Sequence, residues 1–307
     1  MSACLVCLEE SSAAHGYHPR CVKQLFGVSR PPLLDIDLAH LHMAAQAMAG
    51  HTSLSGIQKK LSVSLSGDRR TLRVEATGGR YILKPQTGTY PALPENEHVT
   101  TLLAKLTGIP VATSGLVHLK DESLAFVARR FDRLPSGRKV RQEDFCQLAE
   151  APPRDKYRSS AERCAKIVRV YATETLIQLQ ELYRLFVFIW WSGNGDMHLK
   201  NFSLLTDKEG LTKLTPAYDL LCTELVLPGN GMAFPLNGKS NNLARKDWQA
   251  FAEACGLPAT RARAILSAQA AAFPHARRLI EASYLPEEQK EDYVEWVEAR
   301  SRDLVDE

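Results

Sequence analysis

Hydrophobic and polar positions give the two halves of the chain different textures. In the first half, short apolar runs alternate with polar residues at the period of a half-buried strand. Leu61 to Leu65 and Thr71 to Ala76 alternate around a Gly67-Asp68 turn, which predicts a hairpin. Arg80 to Pro85, Gly115 to Leu119 and Ser123 to Arg129 read as three further strands. One helix precedes these strands and another is embedded among them. Asp35 to Gly50 places Leu34, Leu38, Leu41 and Ala45 on one apolar side, and Pro94 to Leu106 is closed by Gly108 and Pro110.

In the second half the spacing shifts to three and four. Glu143 to Gln147 reads as the start of a helix, and Ala151 to Ser160 as a polar, Pro-rich, mobile loop. From Ala161 the pattern is largely helical. Trp248 to Cys255, Arg261 to Ile280 and Glu287 to Val305 follow in that texture, broken only by short strands at Phe202 to Leu205 and Leu211 to Pro216. The chain contains no internal repeat and no low-complexity tract.

One segment departs from amphipathic spacing. Leu182 to Trp191 is apolar almost throughout, so it predicts a buried helix. It runs directly into Gly193-Asn194-Gly195-Asp196-Met197-His198-Leu199-Lys200-Asn201. A core helix that breaks at two glycines and at once presents Asp, His, Lys and Asn is offering polar groups to a ligand. Phosphoryl transfer uses such a set: an Asp takes or orients the acceptor proton, a Lys neutralises charge on the moving group, and an Asn holds magnesium. The plainer alternative is a polar turn after a core helix.

Composition narrows the classes without choosing among them. A 307-residue chain, 45% hydrophobic, has room for one large domain or two joined lobes. Its formal charge of +3 argues for neither nucleic-acid binding nor membrane docking. The most apolar run is interrupted by Arg184 and closed by Gly193, so it does not read as a membrane span. The opening MSACLVCLEE lacks the regions of a signal peptide, and seven scattered cysteines suit a reducing compartment, which together predict a cytoplasmic location.

Other candidate groups lie outside the central motif. Cys4, Cys7, His18 and Cys21 form two C-x-x-C-like pairs, which read either as a structural zinc set or as unligated thiols of a short hairpin. His51 to Lys60 is a hydroxyl-rich loop whose backbone N–H groups suit phosphates, although a single Gly56 makes it weak as a phosphate loop. Lys84 sits on a strand one hairpin later, where a nucleotide's phosphates are reached in kinases. Glu95 or Glu97, in the first turn of the next helix, either pairs with Lys84 or simply complements the helix dipole. Asp219, in Ala-Tyr-Asp-Leu after the return strands, stands where a kinase places a second magnesium ligand.

As a set, Ser-Leu-Ser-Gly-Ile-Gln-Lys-Lys, Tyr-Ile-Leu-Lys-Pro, Asn-Glu-His, Arg-Phe-Asp-Arg, Gln-Glu-Asp-Phe-Cys-Gln, Asn-Gly-Asp-Met-His-Leu-Lys-Asn-Phe-Ser and Ala-Tyr-Asp-Leu-Leu resemble the HipA-like serine/threonine kinases, toxins of bacterial toxin–antitoxin systems. The likeness runs in family order from about Gly50 to beyond Asp219. It implies an α+β, two-lobed protein-kinase-like fold with a mixed N-lobe and an all-α C-lobe. The expected divisions are a small Cys/His element at 1–27, an N-lobe at 28–135 and a C-lobe at 136–307. The resemblance also implies ATP and Mg2+ as cofactors and an aminoacyl-tRNA synthetase as the protein substrate.

Carried over to this sequence, Asp196 is the expected catalytic base, and Asn201 and Asp219 are the expected magnesium ligands. Lys84, Ser55, Gly56, Gln142, His198 and Lys200 would contact the nucleotide, and the backbone from Arg129 to Phe131 would meet adenine. The position at Arg129 is usually acidic in the family, but a backbone contact survives that change. Ser53 and Ser55 occupy the loop that family members autophosphorylate. Phosphate there adds about two negative charges and would draw the loop from the ATP phosphates, an off-switch.

Longer family members carry an additional N-terminal subdomain before this loop, so the chain resembles the compact, HipT-like form. Its expected neutralising partner is accordingly a DNA-binding HipB-like antitoxin, a separate small HipS-like protein, or both, with no direct contact to nucleic acid or membrane. Two other readings of the same motifs are a pseudokinase-like regulator and a small-molecule kinase.

Overall fold

The computed structural model describes residues 2–13, 15–48, 59–134, 136–229 and 231–305. The expected loop residues Ser53, Ser55 and Gly56 lie outside the described residues. The chain divides into two units. The first takes in Met1–Leu102, Ala112–Arg138 and Ala282–Pro286, and the second Leu103–Val111, Lys139–Glu281 and Glu287–Glu307.

The first unit opens with a minute hairpin, β1 (Ser2–Ala3) and β2 (Glu10–Ser11), followed by α1 (Pro19–Phe26) and α2 (Leu38–Met48). Next come β3 (Leu61–Leu65), β4 (Leu72–Glu75) and β5 (Tyr81–Pro85), the helix α3 (Leu93–Leu106), whose residues from Leu103 onward count with the second unit, then β6 (Ser114–His118) and β7 (Leu124–Arg129). Five of these strands form an antiparallel sheet in the order β4-β3-β5-β7-β6. Alternation fixes its faces: Tyr81 and Leu83 of β5 enter a core with Leu61, Val63 and Val127, while Lys84 belongs to the opposite face. Residues 1–27 share that core through Leu5, Val22, Leu25 and Phe26, all almost wholly buried. Each such side chain removed from water contributes about 1.5–3 kcal/mol, which holds the short N-terminal elements in place.

The second unit begins with β8 (Arg141–Asp144) and α4 (Phe145–Leu148), then α5 (Ala161–Tyr171) and α6 (Thr175–Trp191). After them run β9 (Ser203–Thr206), β10 (Thr212–Leu214), α7 (Arg245–Ala254), α8 (Ala259–Ala271), α9 (Phe273–Glu281) and α10 (Glu287–Val305). The apolar segment Leu182 to Trp191 is the C-terminal part of α6, buried at every position but Arg184. Phe186 stacks on Phe202 at 5.3 Å, Phe202 stacks on Phe145 at 5.5 Å, and Trp191 Nε1 donates to Ser301 Oγ of α10 at 2.8 Å. A helix with neighbours all round needs no amphipathic period, which is why its sequence shows none.

Three features differ from the sequence pattern. Residues 141–144 form a strand, and the helix starts only at Phe145. Asp144 caps that helix by accepting from Gln147 N, and the Gln147 side chain reciprocates. Consequently the helical half carries a three-stranded sheet, β10-β9-β8. The stretch Arg261 to Ile280 is two helices that meet at Ala272, where Pro274 cannot supply the N–H a continuous helix requires. Among the described residues no helix is long and apolar enough to cross a membrane.

Candidate functional site

The loop after α6 is held from several directions. Asn194 N donates to Ile189 O at 2.9 Å, closing the helix, and Thr223 N and Oγ1 both donate to Gly193 O at 2.9 and 3.0 Å. The same Thr223 hydroxyl accepts from Gly195 N at 2.7 Å. Asn194 Oδ1 accepts from Asp196 N at 3.2 Å, the short-range turn that Asn side chains form. Asn201 then reaches back, its Nδ2 donating to Asp196 O at 3.0 Å. These bonds leave the Asp196 side chain exposed while its backbone is anchored on both sides.

Asn201 is buried, and donation through Nδ2 leaves its Oδ1 as the acceptor atom of the amide. Asp219 is half-buried and sits in the left-handed region at φ 55°, a conformation that costs a non-glycine residue about 1 kcal/mol or more. The chain holds it there by pinning its neighbours: Ala217 N donates to Pro110 O at 2.7 Å, Leu220 is fully buried, and the Tyr218 hydroxyl donates to Lys200 O at 3.0 Å. Asp196 and Asp219 both act electrostatically on His198. Burial nevertheless dominates there and pushes the imidazole below its ordinary range, so His198 is neutral at pH 7. His198 Nδ1 and Asn194 Nδ2 are buried without a hydrogen-bond partner among the described residues.

Gln142, on β8, donates from Nε2 to Ser203 Oγ at 3.2 Å. Because the Tyr218 hydroxyl proton is committed to Lys200 O, Ser203 Oγ donates in turn to Tyr218 Oη at 2.6 Å. This chain of bonds ties β8, β9 and the segment before Asp219 to the loop. Lys200 Nζ pairs with Asp144 Oδ2 at 2.9 Å, so its charge is held beside the start of α4. The second unit thus brings together Asp196, His198, Lys200, Asn201, Asp219 and Gln142.

Tyr157, Ser203 and Tyr218 join this set without having been legible as site residues. Tyr157 comes from the stretch that reads as a mobile loop, yet its hydroxyl donates to Asp196 Oδ1 at 2.6 Å and its ring meets His198 edge-on at 5.0 Å. Leu199 N also donates to Lys156 O at 3.1 Å. A tyrosine among prolines and charges was the only available signal, and nothing in its spacing pointed to Asp196.

The first unit holds Lys84, Arg129 and Phe131. Lys84 lies opposite Phe126 in the β5–β7 register, with Nζ 5.6 Å from the ring centre. Its Nζ meets Glu97 Oε1 at 2.5 Å, and both side chains are almost fully buried. Of the two candidate carboxylates, Glu97 therefore forms the pair. Burial pushes the Glu95 carboxyl above its ordinary range, and Glu95 Oε2 has no hydrogen-bond partner among the described residues. Arg129 ends β7, its N donating to Thr113 O at 2.8 Å, and Arg130 N donates to Arg80 O at 2.9 Å. Phe131 follows half-buried, and Asp132 is clamped by Arg130 and Arg133.

A family profile described as the HipA-like C-terminal domain matches residues 52–277. A Haemophilus influenzae protein named "Putative kinase" is 35% identical over 182 residues, covering 55% of this chain and 52% of that protein. The serine/threonine-protein kinase toxin HipA of Shewanella oneidensis is 26% identical over 228 residues, 67% of this chain and 52% of the toxin. The chain spans about half the length of these curated relatives. Among solved structures, the Shewanella oneidensis toxin–antitoxin complex of HipA, HipB and operator DNA matches with a TM-score of 0.68 at 23% identity, covering 82% of this chain and 64% of that one. That likeness confirms the α+β, kinase-like fold.

Proposed function

The chain belongs to the family of HipA-like C-terminal domains, and we propose that it is an ATP- and Mg2+-dependent serine/threonine protein kinase. In this reading it is the toxin of a bacterial toxin–antitoxin system, acting in the cytoplasm on an aminoacyl-tRNA synthetase. The observation that carries the reading is that the exposed Asp196 carboxylate, on an anchored backbone, already accepts a hydrogen bond from a hydroxyl, Tyr157 OH, at 2.6 Å. A general base toward a serine or threonine hydroxyl needs that approach and that distance.

The donor groups suit the cofactors. Asn201 Oδ1 and the Asp219 carboxylate are hard oxygen ligands of the kind magnesium takes, and they would hold it. When bound, ATP with magnesium supplies the phosphoryl group and the charge that neutralises it. Asp196 orients the acceptor hydroxyl and takes its proton on a carboxylate oxygen. Lys84, paired with Glu97, would bind phosphates, as would Ser55 and Gly56. The backbone at Arg129 to Phe131 would bind adenine, and Gln142, His198 and Lys200 would line the nucleotide. Neutral His198 adds no competing cation beside Asp196. Ser53 and Ser55 are the proposed autophosphorylation sites, and a HipB-like protein, a small HipS-like protein, or both would restrain the chain.

Incubation of the purified chain with γ-labelled ATP and magnesium tests this reading. The chain is expected to label itself and an added synthetase. Asp196→Asn should abolish both labels and the growth arrest while ATP affinity changes by less than about threefold, because a base acts in the transition state rather than in nucleotide binding. Equal labelling by Asp196→Asn would refute the assignment of the base. Ser53→Ala with Ser55→Ala should stop self-labelling only.

A further inference from the structure

Two short segments bring four ligand-type side chains to one point at the start of the first unit. Cys4 and Cys7 lie in the turn between β1 and β2, where Leu8 N donates to Cys4 O at 2.9 Å and Cys4 N to Glu9 O at 2.8 Å. Leu8, just after the second cysteine, takes φ 60°, and this left-handed step curls the loop around its two sulfurs. His18 and Cys21 come from α1: His18 is the residue before the helix, Pro19 opens it, and Cys21 N donates to His18 O at 3.0 Å. All four ligand atoms lie within 4.8 Å of one another, and His18 Nδ1 is 3.4 Å from Cys7 Sγ.

From this geometry we infer that Cys4, Cys7, His18 and Cys21 form a structural zinc site of the Cys3His type. Zn–S bonds of about 2.3 Å and a Zn–N bond of about 2.0 Å set the ligands of a tetrahedron about 3.5–3.8 Å apart, about 1 Å inside the widest separation found here. The imidazole is already committed to one role. His18 Nε2 donates to Glu10 O at 3.0 Å, which leaves Nδ1 unprotonated and turned toward the sulfurs. Cys4 and Cys21 are buried, and Cys7 and His18 half-buried, so thiolates formed here would need a cation beside them, which a bound zinc supplies. Four protein ligands close the coordination sphere, which makes the site structural rather than catalytic.

The position of the site explains what it stabilises. Leu5, inside the C-x-x-C turn, accepts at its carbonyl from Leu116 N at 2.7 Å, and Val6 O accepts from His98 Nε2 at 3.2 Å. β6 is an edge strand, and the turn covers it. Gly115 of β6 is required for that approach, since a Cβ there would stand 2.9 Å from Leu5 O and 2.8 Å from Val6 Cγ2. Tyr17, beside His18, donates to Leu116 O at 2.7 Å. The ion would therefore fasten the N-terminal turn and α1 to the open edge of the five-stranded sheet, independently of any phosphotransfer.

Metal analysis of the full-length chain, purified without chelator and dialysed, tests this assignment. The expected content is about one zinc per chain. Cobalt replacing the zinc should give the visible bands of a tetrahedral thiolate site. Cys7→Ser and His18→Ala, both at half-buried positions, should each lower retained zinc at least tenfold, and His18→Cys should restore it with shifted cobalt bands. Wild-type chain that holds less than about a tenth of an equivalent of zinc and shows no cobalt bands would overturn the proposal. So would full zinc retention in Cys7→Ser, or a disulfide among Cys4, Cys7 and Cys21 in the freshly purified chain.

Discussion

Gly195 offers a sharp test of whether loop geometry sets activity. Its φ is not in the left-handed region, so an alanine there meets no conformational objection. It meets a steric one: a Cβ would stand 2.4 Å from Gly231 O and 3.0 Å from Thr223 Oγ1. Ordinary contact begins near 3.4 Å, so the loop must move by about 1 Å. Thr223 also holds Gly195 N and Gly193 O, and the displacement passes directly to Asp196. Overpacking of this kind costs about 1–3 kcal/mol of stability, whereas a misplacement of about 1 Å at a reacting group costs on the order of 100-fold in rate. Gly195→Ala should therefore lower phosphotransfer about 100-fold in a chain that remains folded. Initial rates with labelled ATP, set beside urea unfolding curves, separate the two effects. Gly67→Ala, where nothing lies within 4 Å, serves as the control. Turnover within threefold of wild type in Gly195→Ala would refute the idea that this close approach positions Asp196.

Glu97→Gln removes the carboxylate that neutralises buried Lys84 and should cost about 3 kcal/mol in urea unfolding, while Glu95→Gln should be neutral or stabilising; equal effects would contradict the pairing. Tyr157→Phe frees Asp196 from a hydrogen bond worth about 1 kcal/mol and should raise initial rates toward a protein acceptor about fivefold, a tenfold fall being the contrary result. Asp132 is buried, which alone would raise its pKa, but its hydrogen bond and ion pairs with Arg130 and Arg133 outweigh burial and hold it below the ordinary carboxylate range. Its contribution is thus full above about pH 4 and is lost as pH falls further. Asp132→Asn should unfold about 2–3 kcal/mol more easily at pH 7, with the gap to wild type narrowing as pH falls below the ordinary carboxylate range; a gap that persists undiminished in acid would refute this linkage.

The sequence alone determined what depends on local period and on residue type. Strand alternation placed β3, β5 and β7 to within a residue or two, and the run from Leu182 to Trp191, apolar but for Arg184, marked α6 as core before any partner was known. The central loop was legible because a buried helix cannot end in Gly-Asn-Gly-Asp without presenting those groups to something. Tertiary structure decided what local pattern cannot carry. Glu143 and Asp144 read as the start of a helix, yet pairing with β9 makes them, with Arg141 and Gln142, a strand. Glu97 rather than Glu95 meets Lys84 because the turn of α3 against β5 selects one of two equivalent carboxylates. Tyr157 reaches Asp196 across 39 positions, and Ser203 and Tyr218 join only through a chain of hydroxyls, contacts that no periodicity encodes. The four ligands near the N-terminus were countable in the sequence. That they converge within 4.8 Å was decided by a left-handed turn at Leu8 and by the docking of that turn on the edge of β6.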